Sequence, residues 1–150
     1  MRIHTASEGM RCARALETES SRFYTEMAQR YPEHATIFHS FAEENAKNVA
    51  LIERTYYEAA TDAIEGSFCF ALDLEDYNPD LRLADGASSN EALRRAVEIE
   101  RRIASFYAMA AEQSRGLLSD LSQALAVVAR KRRSRCSRME LAVPPETGLG

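Results

Sequence analysis

Two carboxylates stand where a helix should be apolar. Alternating steps of three and four residues pick out Met10, Ala13, Glu17, Ser20, Tyr24 and Met27, and the same count later in the chain picks out Leu93, Ala96, Glu100, Ile103, Tyr107 and Ala110. That spacing keeps every member on one helix face, with a Glu at mid-stripe and a Tyr seven residues beyond it in both runs. A carboxylate held in a core must ligate a metal or meet a cation, because an unpaired buried charge is too costly to keep. Two further stripes, Phe38, Phe41, Asn45, Asn48, Ile52 and Leu118, Leu121, Leu125, Ala129, Arg132, Cys136, bring two amides and a guanidinium to the same mid-height. Four such helices would carry one polar layer through the centre of their core.

The elements that must position this layer are marked by caps and breakers. Thr5 with Glu8 makes a capping box, so helix one is expected from about 6 to 30. Pro32 ends it, because the residue before a proline is biased out of the helical region, and Pro32 suits the first turn of a new helix. Helix two then runs to about Glu65, with Gly66 as its C-terminal cap. Ser88 with Glu91 opens helix three, which reaches about Ser114. Helix four spans about Leu117 to Leu141, where Pro144 and Pro145 stop it.

Between helices two and three lies "GSFCFALDLEDYNPDLRLADGASS", rich in Gly, Pro, Asn and Asp and read as connection. A link this long is uncommon in a compact domain unless it has work to do. Helix two is roughly 50 Å long, and a partly extended connection could return along most of that length. The expected order is short turn, long crossover, short turn, an all-α, antiparallel four-helix bundle of the ferritin-like kind, with Phe68, Phe70 and Tyr77 sealing the crossover to it. An internal repeat agrees: "ARALETESSRFYTEMA" at 13–28 aligns with "AVEIERRIASFYAMAA" at 96–111, matching Glu17 to Glu100, Phe23 to Phe106 and Tyr24 to Tyr107, while "FAEENAKN" aligns more weakly with "LAVVARKR". One domain over 1–143 and a C-terminal tail at 144–150 follow.

The segment "AVEIERRIASFY" resembles the ligand-bearing helix of rubrerythrin-family proteins, and "ALETESSRFY" resembles its partner. The resemblance covers roughly residues 8 to 135. It implies a bundle holding non-haem di-iron through a Glu from each of two helices and a Glu-x-x-His from each of the other two, used in peroxide reduction, ferroxidation or oxygen chemistry, and it implies a homodimer. Glu17 and Glu100 match the two single Glu positions. The rest departs: Asn45 stands at a Glu position and Asn48 at its His, Ala129 at the other Glu and Arg132 at the other His. Two carboxylates and neutral amides do not assemble the ligand set of two iron ions, and a guanidinium repels a cation. Nor does a neighbour rescue the site. Using Glu44 would set Lys47 at the His position, His39 faces away, His34 lies about 16 Å up the helix, and His4 precedes helix one.

The resulting expectation is that Arg132 replaces the metal charge by pairing with Glu17 and Glu100, while Asn45, Asn48, Tyr24 and Tyr107 complete the hydrogen bonds. The alternative for Arg132 is that it snorkels to the surface with the basic run around it. No cofactor is then expected, with iron or another divalent metal on Glu17 and Glu100 as the alternative.

Bulk properties bound the function. The chain has 150 residues, 45% hydrophobic and 28% charged, with a net charge of -4, which is an ordinary globular composition and argues against a protein wholly devoted to nucleic acid. Cys12, Cys69 and Cys136 form no C-x-x-C pair, so neither a disulfide framework nor an appended rubredoxin-type iron site is indicated; Cys136, amid cations, is the thiol whose pKa they would lower. The N-terminus lacks a signal-peptide core and no run approaches a membrane span, giving a cytoplasmic expectation. "RKRRSRCSR" at 130–138 is strongly basic and is a candidate surface for an anionic partner. The function read from all this is a non-catalytic binding or regulatory module with a degenerate di-iron site. Its alternatives are a non-haem iron oxidoreductase or peroxidase with a rearranged ligand set, and an anion- or nucleic-acid-binding protein working through 130–138.

Overall fold

The computed structural model describes residues 1–59 and 68–143. Strand β1 (Arg2–Thr5) leads directly into helix α1 (Ala6–Arg30); a single 3-10 turn at Pro32–His34 precedes α2 (Ala35–Ala59). Strand β2 (Phe68–Asp73) and a second 3-10 turn (Leu74–Asp76) follow, then α3 (Ser89–Ser114) and α4 (Ser119–Ala142). The chain is thus mostly helical, with four long helices among the described residues. The expected end of helix two at Glu65, its Gly66 cap, the stop at Pro144 and Pro145, and the tail all lie outside the described residues.

Local chemistry accounts for the boundaries. The Thr5 hydroxyl accepts from the Glu8 amide at 3.1 Å, and Glu8 Oε1 accepts from the Thr5 amide at 3.0 Å, closing the capping box. The Thr5 amide, the His4 amide and the Thr5 hydroxyl, all donating to Glu8 Oε1, hold the Glu8 carboxyl below its ordinary pKa. Ser88 caps α3 by accepting from the Glu91 amide at 3.2 Å. Pro32 opens the 3-10 turn rather than α2 itself, which begins three residues later. The α4 helix starts two residues after the expected position, at Ser119, with Leu118 as an N-cap that makes no side-chain hydrogen bond.

Every member of the four stripes is buried. Helix α1 packs on α2, α3 on α4, α2 on α4 and α1 against α3, so the stripes share one core. The ribbon is the main departure from the expected all-α chain. Within the stretch read wholly as connection, β2 pairs antiparallel with β1, setting Ile3 opposite Leu72 and Arg2 opposite Asp73, with an irregularity before Thr5. Gly9 admits β2 onto α1: a Cβ there would meet Phe70 Cε2 at 2.5 Å. Gln113 covers the other edge of β2, accepting from the Ala71 amide at 2.8 Å and donating to its carbonyl at 3.3 Å.

The three aromatic positions expected to seal this segment divide. Phe70 is buried and Tyr77 stands edge-on to Phe106 at 6.1 Å, but Phe68 is 76% exposed, stacked on His4 at 5.3 Å. Regular alternation would put Phe68 and Phe70 on one face; the irregularity that sets Leu72 to Phe68 against only Ile3 to Thr5 breaks it, so that Cys69 and Phe70 are both buried and Phe68 is exposed.

Candidate functional site: a buried ion-pair layer

Arg132 lies inside the core, fully buried, and does not reach the surface. Its Nη2 donates to Glu17 Oε2 at 2.5 Å and to Ser20 Oγ at 3.2 Å, and its Nη1 donates to Glu100 Oε1 at 2.7 Å. One guanidinium from α4 therefore ties a carboxylate of α1 to a carboxylate of α3. The snorkelling alternative is displaced for a geometric reason: Arg132 sits mid-helix on the inner face, about 15 Å along α4 from its last residue.

The tyrosines close the same layer reciprocally. Tyr24 of α1 donates to Glu100 Oε1 of α3 at 2.5 Å, and Tyr107 of α3 donates to Glu17 Oε1 of α1 at 2.8 Å. Residues matched in the internal repeat thus exchange equivalent bonds across the core. Phe38 and Phe41 flank the Tyr24 ring at 5.9 and 5.4 Å. Asn45 donates through Nδ2 to Ser20 Oγ and Ser21 Oγ, both at 3.0 Å, and to the Glu17 carbonyl at 3.3 Å.

Two residues of the layer were not anticipated. Ser20 is the hub between Asn45 and Arg132, and Arg135 is a second fully buried guanidinium. Arg135 Nη1 donates to Asn45 Oδ1 at 2.7 Å and to Glu100 Oε1 at 3.1 Å, its Nη2 lies 3.7 Å from Glu44, and its head stacks over Phe41 at 4.9 Å. Glu44, partly exposed, also faces Arg138 at 3.8 Å. The signal for Arg135 was the step of three from Arg132, which puts both on one face; the surrounding basic run hid it. Asn48 is buried as expected, but its amide has no hydrogen-bond partner among the described residues, a state it shares with Glu100 Oε2, Arg132 Nε and Arg135 Nε and Nη2.

Burial and charge set the electrostatics. Desolvation pulls the Arg132 guanidinium down, but Glu100 and Glu17 outweigh it and hold the group above its ordinary pKa, so it is charged at any working pH. Burial, then the neighbouring Glu100, raises the Tyr24 phenol well above its usual range, and burial with Glu17 does the same for Tyr107. Cys136 is corrected in the opposite sense from its expectation: burial, then the neighbouring Glu100, pushes its thiol up to about 11, outweighing Arg101 of α3.

The tyrosine shifts give a pH prediction. A phenol raised in the folded state keeps a proton that the unfolded chain releases near pH 10, so this part of the stability is complete below about pH 10 and is lost as pH rises through the folded value. In an alkaline titration followed by tyrosinate absorbance, two of the six tyrosines should ionise only with unfolding. Six phenols titrating together in the folded protein would contradict the assignment.

Metal ligation does not fit these residues. Each carboxylate is already engaged by a guanidinium and a phenol, and the remaining positions offer Asn45, Asn48, Ala129 and Arg132. Among the described residues, no group of three or more His, Cys, Asp and Glu side chains could hold a metal ion. The layer offers fixed charge and fixed geometry, with Glu100 Oε2 as its one carboxylate oxygen without a hydrogen-bond partner among the described residues. Comparison with protein-family models, curated proteins and solved structures finds no match to this chain.

Proposed function

We propose that the chain is a rubrerythrin-related, ferritin-like bundle in which an internal ion-pair layer has replaced the di-iron centre, and that it works as a non-catalytic binding or regulatory module. The observation that carries this reading is the Arg132 guanidinium bridging Glu17 and Glu100, the two positions that match the family's single-Glu ligands. A bridging cation between two carboxylates is the role a metal plays in such a bundle, performed here by a group that cannot change oxidation state or accept a ligand.

The sense of the helices supports the same reading. Glu17 meets Tyr107 and Tyr24 meets Glu100, so numbers rise on α1 as they fall on α3, and the two run antiparallel. The single turn at Pro32–His34 makes α1 and α2 antiparallel as well. Helices α2 and α3 then run the same way, which is the arrangement that calls for a long crossover between them.

A thermal melt tests the reading. A ligand that binds only the folded state raises the midpoint by mass action, so ferrous iron, zinc or a chelator should move this protein's midpoint by less than about 1 °C. A rise of about 5 °C or more with either metal, abolished by Glu17→Ala, would favour the oxidoreductase reading instead.

A further inference from the structure

The basic run 130–138 is not one surface. Arg132 and Arg135 are consumed in the core and Arg138 is held against Phe41 and Glu44. Arg130, the half-buried Lys131 and Arg133 remain; of these Arg130 and Arg133, one helical step apart on α4, face a common depression, and the structure joins to them a residue distant in sequence, Arg115, at the end of α3. These three exposed arginines surround a depression of about 330 Å³ between α3 and α4 whose floor is alanine, Ala111 and Ala129 among them. None of the three forms an ion pair among the described residues, and Glu112 is the single carboxylate on the wall.

We infer that this depression binds the phosphate groups of a small phosphorylated ligand, with Arg115, Arg130 and Arg133 as the donors. The planar fork of arginine matches phosphate oxygens two at a time, and a methyl floor lets the ligand settle below the guanidinium heads. A single strand of nucleic acid is disfavoured because such strands need aromatic stacking platforms and no aromatic side chain lines the depression. The volume falls at the lower end of the roughly 300–1,000 Å³ of small-molecule sites. The inference rests on the binding-module reading only for its purpose: metal uptake at Glu17 and Glu100 would overturn that reading and leave this site untouched, whereas failure here would leave that reading standing.

Calorimetric titration at low salt, with inorganic pyrophosphate in one arm and a nucleoside diphosphate in the other, is the test. Saturable binding of pyrophosphate is expected with a dissociation constant on the order of 0.1–1 mM, weakening as salt screens the charges. Tighter binding of the nucleoside diphosphate would identify an ester as the ligand, and equal binding would identify the phosphates alone. The Arg130→Gln, Arg133→Gln double variant should bind at least about tenfold more weakly, while Arg54→Gln, at an exposed position on α2, should bind as the parent does. The inference is overturned by no saturation below about 5 mM, by undiminished binding in the double variant, or by a single-stranded 12-mer that binds more tightly than pyrophosphate.

Discussion

Arg132→Leu should cost the fold about 3–5 kcal/mol, because it leaves Glu17 and Glu100 buried with no cation between them. Both carboxylates are essentially without solvent exposure. Glu100 would keep Arg135 and Tyr24, but Glu17 would keep only the Tyr107 hydroxyl. The loss should therefore arise mainly at Glu17. Urea unfolding of parent and variant measures it directly, and a difference below about 0.5 kcal/mol would remove the ion pair from the account.

That asymmetry leads to the second large effect, a recovery. In the triple variant Arg132→Leu, Glu17→Leu, Tyr107→Phe, the orphaned carboxylate and the phenol that served it are both gone. Glu100 still has Arg135 and Tyr24, Ser20 still donates to the Leu16 carbonyl at 2.7 Å, and Asn45 still bonds Ser20. Replacing a whole buried ion pair with apolar groups is often neutral or stabilising, whereas breaking half of it is not. The triple variant should regain about 2–3 kcal/mol of the single variant's loss, the remainder reflecting the space that leucine leaves where arginine was. If the triple variant is less stable than Arg132→Leu alone, the cost of the single variant has another source than the stranded charge.

Much of this arrangement is legible in the sequence for identifiable reasons. Helices α1 and α3 carry their own caps at Thr5 and Ser88, and their stripes hold phase over more than four turns, so their expected and observed limits coincide within a residue. Mid-stripe Glu17, Glu100 and Arg132 stand out because each violates the apolar pattern on its face. Arg135 does not stand out, since it lies in a basic run where a charge is the ordinary solvated choice, and its burial depends on Asn45, Glu44 and Phe41 of another helix. The β-ribbon is hidden for a related reason. Its strands are short, separated by about 65 residues, and joined by pairing that no local signal encodes. Gly9 is visible in the sequence, but the ring it makes room for is not.

The recurring repeat explains why the layer is both symmetric and uneven. The Glu and Tyr of each hairpin are equivalent and exchange bonds across the core, as matched residues should. The partners diverge: one hairpin supplies the amides Asn45 and Asn48, and the other supplies Ala129 and Arg132. The buried cations Arg132 and Arg135 thus come from one hairpin, and the amide Asn45, which accepts from Arg135, comes from the other.

Elemental analysis of protein expressed in iron-supplemented medium, with the Glu17→Ala, Glu100→Ala variant beside it, tests the central claim most directly. Replacement of the metal centre by Arg132 predicts less than about a tenth of an iron per chain in both proteins, because a bridged carboxylate pair with a fixed cation offers no ligand set. About two irons per chain, lost in the variant, would contradict it and place the protein with the di-iron oxidoreductases.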